Sequence, residues 1–181
     1  MKMKLKKISL VLFILVLIGF SSGCVREEKT TDNNSGTTKQ EIVASDFDED
    51  GSGELRCSQE VDAEEGLDVD LRYIIEYKRG NIIKLRSIST VTSSDSEKLD
   101  TYENAYEKIA TNYNDLANYQ TNIIRDSNSV MYDAIINYDK IDIDKLLEIE
   151  GEEDNIIVGN KAKLSLWLEL AGKVGTVCEE A

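Results

Sequence analysis

The sequence predicts a single α+β domain: an antiparallel sheet covered by a long helix, with a C-terminal helix and a short closing strand. Three observations predict it. Leu67, Val69, Leu71, Tyr73, Ile75 and Tyr77 alternate with mostly polar neighbours, the period of a half-buried strand. Leu99, Tyr102, Tyr106, Ile109, Tyr113 and Leu116 recur at steps of three and four, the period of a helix with one apolar stripe. Leu164, Trp167, Leu168 and Ala171 repeat that spacing near the C-terminus.

Taken in order, Leu55, Cys57, Gln59 and Val61 alternate as a first strand, and Ala63–Gly66 form a turn. The second strand runs from Leu67 to Lys78, with Ile74 the one apolar residue on its polar side. Arg79-Gly80 supply a tight reversal, which Asn81 could shift by one. Residues 82–92 return as a third strand, and its alternation falters between Leu85 and Ile88, where a bulge would restore the phase. Ser94 with Glu97 reads as a capping box opening a helix over 95–117. Its three tyrosines could form a stacking platform, but this spacing favours a core stripe. Tyr119–Arg125 and Val130–Tyr138 are the fourth and fifth strands around turn residues 126–129. Asp139, Asp142 and Asp144 read as a solvated acidic loop before a short helix at 143–149. After an acidic loop at 150–154, the last helix runs from Asn160 and stops at Gly172 or Gly175. Thr176-Val177-Cys178 close the fold as a strand, and Trp167 is read as core.

Ahead of the domain, Lys2, Lys4, Lys6 and Lys7 precede an apolar run from Ile8 to Phe20 and small residues Ser21-Ser22-Gly23. As a helix that run spans only about 20 Å, against the roughly 30 Å of a bilayer core, so residues 1–23 read as an export signal. The segment resembles a bacterial lipobox, with Ser21 where Leu is usual. The resemblance implies cleavage before Cys24 and a lipid on its thiol, holding the protein on the extracytoplasmic face of the cell membrane. Ordinary signal cleavage and secretion is the alternative. Residues 24–53 then form a flexible acidic tether and 54–181 the domain.

Removing the four leader lysines from 21 basic residues leaves 17 against 35 acids, a net charge of −18. That balance disfavours nucleic acid, which is held by cations on phosphates. The chain has no His, so His-dependent nucleophiles and His-ligated zinc are excluded. With Cys24 assigned to lipid, Cys57 and Cys178 are the one pair left for a disulfide in an exported domain.

Asp46, Asp48, Asp50, Ser52 (through its carbonyl) and Glu54 fit the opening of an EF-hand calcium loop. The twelfth place, which needs a bidentate Glu, is Cys57. An acidic linker end is therefore the preferred reading, with no cofactor, and calcium the alternative. A carboxylate-dependent cell-wall enzyme would need two facing acids, which no spacing here defines. The leading expectation is a non-catalytic module for an envelope ligand.

The pieces together resemble the YehR-like group of small bacterial lipoproteins. The likeness rests on the leader with Cys24, Glu54-Leu55-Arg56-Cys57, Tyr77-Lys78-Arg79-Gly80-Asn81, the Tyr-bearing helix, Asp139-Lys140-Ile141-Asp142, and the last helix leading to Gly175-Thr176-Val177-Cys178. It spans about residues 54–178. It implies an antiparallel sheet packed by helices, and no activity or site residue.

Overall fold

A computed structural model describes residues 51–61, 63–152 and 156–181. The leader, Cys24, Asp46, Asp48 and Asp50 lie outside the described residues.

The alternation in the second strand is realised in β2 (Asp68–Lys78), whose odd-numbered side chains from Val69 to Tyr77 are buried. It sits between β1 (Ser52–Glu60) and β3 (Asn81–Thr92), both antiparallel to it. The β2–β3 turn has two residues, Arg79 (φ 50°) and Gly80 (φ 69°). Two positive φ values match the twist of a tight hairpin. Arg79, as a non-glycine residue there, is held by its N–H to Gly51 O at 2.7 Å and by Asn81 Nδ2 donating to its carbonyl at 2.8 Å.

Next come α1 (Ser96–Asn112), β4 (Tyr119–Arg125) and β5 (Ser129–Asn137). They are followed by α2 (Ile143–Glu148), a small hairpin of β6 (Ile157–Val158) and β7 (Lys161–Ala162), α3 (Leu164–Gly172) and β8 (Val177–Glu180). The main sheet runs β4-β5-β3-β2-β1-β8. The core lies between its inner face and the helices. Leu99, Tyr106 and Ile109 of α1, Ile143 and Leu146 of α2, and Trp167 and Leu168 of α3 are all buried there. Trp167 meets Tyr73 edge-on at 5.2 Å.

Five local expectations are corrected. The cap of α1 is Asp95, whose carboxylate accepts from the N–H groups of Glu97 (2.9 Å) and Lys98 (3.4 Å), so Ser94 does not cap it. A carboxylate beside two unpaired N–H groups outdoes a hydroxyl one residue earlier. The helix stops at Asn112, and the turn that follows carries Tyr113 and Leu116 into the core with Asn114 and Asp115 exposed between them. The bulge in β3 falls at Ile83, where pairing steps from Glu76↔Lys84 to Tyr77↔Ile82, and Leu85–Ile88 run in unbroken register. Residues 157–162 form a hairpin around Gly159 (φ 58°) and Asn160 (φ 60°), so the last helix starts at Leu164. β1 also starts at Ser52, inside the stretch read as tether.

Candidate functional site

The three helices among the described residues pack on one face of the sheet. Among the described residues no helix covers the other. The registers place its side chains in rows. One row reads Asn122, Asp133, Ile88, Arg72, Ser58, Val177; the next reads Gln120, Ile135, Arg86, Ile74, Arg56, Glu179. Ile74 and Ile88 are therefore diagonal neighbours on adjacent strands. They share a shallow hollow of about 600 Å³ with Arg56, Arg72, Val177 and Glu179. Val177 is 46% exposed.

The guanidinium groups around this floor are held flat. Arg72 forks onto Asp70 (Nε–Oδ1 2.7 Å, Nη2–Oδ2 2.8 Å), and Arg86 forks onto Asp133 (Nε–Oδ1 2.9 Å, Nη2–Oδ2 2.8 Å). These hydrogen bonds and the adjacent negative charge raise both arginines above their ordinary pKa. Arg56 donates twice to Glu54 Oε1 at 3.2 Å, and Lys84 reaches Glu76 at 3.0 Å. A guanidinium carries five donors and a forked pair uses two, so each held arginine keeps donors for an incoming acceptor. The hollow thus has an apolar floor with Arg56 and Arg72 at its lining and the Arg86–Asp133 and Lys84–Glu76 pairs on the same face.

Of the predicted site residues, the structure describes Ser52, Glu54, Cys57 and Cys178. Ser52 and Glu54 lie in β1, and Arg56 donates to Glu54. The described residues contain no group of three metal-ligating side chains. Cys57 and Cys178 face each other on β1 and β8 with Cα atoms 4.0 Å apart and form a disulfide. It lies on the inner side, beneath the hollow, with both cysteines buried.

The inner face holds a second polar cluster. Tyr113 and Tyr119 stack at 4.1 Å, and Tyr106 and Tyr132 at 5.2 Å. Tyr113 donates to Glu152 Oε1 at 2.6 Å, and Glu152 is 0% exposed. Burial pushes the phenols of Tyr73, Tyr113, Tyr119, Tyr132 and Tyr138 above their usual range, and Tyr106 up to about 12. Tyr106 shares a 2.7 Å hydrogen bond with Ser89. Tyr106 and Tyr113 are core, as their helical spacing favours. Closed off from solvent, this cluster organises the interior.

The outer-face arginines were not singled out by sequence reasoning. The signal for the hollow was present: Ile74 as the apolar exception in β2 and Ile88 out of phase in β3 are its two central residues.

The fold has likenesses among solved structures. An NMR structure of a protein from Streptococcus pneumoniae TIGR4 is similar at a TM-score of 0.45 and 13% identity, covering 89% of this chain and 100% of that one. The NMR structure of E. coli YehR is similar at 0.49 and 16%, covering 71% and 91%. No family model and no curated protein matches the chain.

Proposed function

We propose that the chain is an exported, non-catalytic binding module, anchored by lipid on Cys24 to the extracytoplasmic face of the cell membrane, which docks an envelope protein on the outer face of its sheet. The observation that carries the docking reading is the Ile74–Ile88 floor in a face that no described helix covers. Both isoleucines are already half-buried, so completing the burial of one contributes only part of the about 1.5–3 kcal/mol of a fully exposed side chain. Oriented arginines around it supply specificity through donors to carbonyls or carboxylates on the partner. The address rests on the basic head, short apolar run and Cys24. Acyl chains contribute about 0.8 kcal/mol per buried CH₂.

The test is crosslinking and capture from intact cells, with parallel fatty-acid labelling. Wild type should carry label and a partner; Cys24→Ala should lose the label; Ile88→Glu should keep the label and lose the partner. An unlabelled wild type overturns the anchor, and a partner indifferent to Ile88→Glu overturns the docking face. A hydrolytic or transferase activity abolished by one substitution overturns the non-catalytic reading.

A further inference from the structure

The main sheet has two open edges among the described residues, and the sequence guards them unequally. β8 is four residues long and carries Glu179 and Glu180. Shortness and charge are both ways of keeping an edge from pairing. β4 is seven residues long and pairs with β5 through all seven without a bulge. It contains no acid, no Lys, no Pro and no Gly. Its single charge, Arg125, is turned back onto α1 by Asp100 (3.1 Å) and Glu103 (3.3 Å). The row it presents is Gln120, Asn122 and Ile124, with Ile124 46% exposed. In a chain of net charge −14, the longer open edge is the acid-free one.

We propose that this edge is an interface between two copies of the chain. β4 pairs with β4 antiparallel about a two-fold axis through Asn122, joining two sheets into one. Such an axis sets Gln120 opposite Ile124, Tyr119 opposite Arg125, and Asn122 opposite itself, so no like charges meet. Outward N–H and C=O groups of Thr121 and Ile123 supply the central hydrogen bonds, while the Tyr119 N–H stays on Leu116 O, and a self-matching surface closes as a dimer. An acid-free edge matters most to a partner that is itself acidic, and a second copy is one. Screening limits repulsion to about 8 Å at physiological salt, so the charge at the contact decides the approach. The docking face proposed above is a different surface.

The experiment oxidises intact cells expressing the full chain with Asn122→Cys and resolves the products on a non-reducing gel. A product of twice the chain's mass is expected. Wild type and Glu169→Cys, an exposed position on α3, should give none. Adding Gln120→Glu and Ile124→Glu should lower the yield about tenfold, or about 1.4 kcal/mol. Each variant is checked for the Cys57–Cys178 bridge by its mobility on reduction. Independently, two differently tagged wild-type copies should co-purify, increasingly so as salt is raised. The proposal fails if Asn122→Cys yields no more dimer than Glu169→Cys, if the added acids change nothing, if the product contains another protein, or if the tagged copies do not co-purify.

Discussion

Removing the disulfide should cost this protein a large share of its stability. The perturbation is Cys57→Ala with Cys178→Ala, which leaves no buried thiol unpaired. The bridge closes a loop of sequence separation 121. In the chain-entropy account, opening that loop lowers stability by about 5 kcal/mol, against a typical total of about 5–15 kcal/mol. Other ties at this edge are small. They are Thr176 Oγ1 to Gln59 Oε1 at 3.2 Å, Ala181 N–H to Glu54 O at 3.0 Å, and the four residue pairs of β1 with β8. Urea unfolding followed by circular dichroism gives the measurement. At a slope of about 2 kcal/mol per molar, the midpoint should fall by about 2.5 M. The slope itself should rise, because the unlinked unfolded chain expands. Amides of Val177–Glu180 should exchange faster in the double variant well below the unfolding transition. A midpoint change under about 0.5 M, or no more than roughly 1 kcal/mol, would refute the loop-closure reasoning and mean that β8 is held by its strand pairing alone.

Three further predictions follow from named contacts. Phenols in the unfolded chain titrate near pH 10, whereas folded Tyr106 titrates at about 12 and Tyr73, Tyr113, Tyr119, Tyr132 and Tyr138 are also raised. The folded state therefore holds more protons above pH 10. Stability is full below that pH and falls as pH rises, by about 1.4 kcal/mol per unit for each phenol; absorbance of tyrosinate should appear together with loss of helix signal. Asp95→Ala should cost about 1 kcal/mol by removing the α1 cap, and Ser94→Ala almost nothing, as read from urea midpoints. Millimolar calcium should leave the melting temperature unchanged, because Glu54 is committed to Arg56 and Ser52–Cys57 form a paired strand; a rise in melting temperature abolished by Asp48→Asn would reverse this.

The elements were legible wherever one side of an element meets the core and the other meets water. β2 and α1 are of this kind, and their alternating and three-four patterns name the buried residues directly. Legibility failed where local geometry outweighed pattern. The Gly159-Asn160 turn forms a two-pair hairpin too short to have a period. Asp95 and Ser94 are both good capping types, and only the backbone's path decides between them. Glu152 sits in a stretch read only as an acidic loop, yet it is buried with the Tyr113 hydroxyl as donor. Pairing a loop acid with a tyrosine 39 residues away is a tertiary fact that no window of sequence contains.

The candidate site was hidden by the rule that served the fold best. Alternation assigns apolar residues inward and treats an exception as a defect to be repaired, so Ile88 prompted a bulge that β3 does not have at that point. The observed registers give the opposite reason. Arg72 lies opposite Ile88 and Arg86 opposite Ile74, so each isoleucine on the solvent side has a clamped guanidinium beside it. One such residue would be an ordinary exposed side chain. Two as diagonal neighbours on adjacent central strands, with Val177 at the rim, make a contiguous apolar surface whose solvation is unfavourable. These apolar exceptions on β2 and β3 are what give the outer face an uncharged floor between paired arginines.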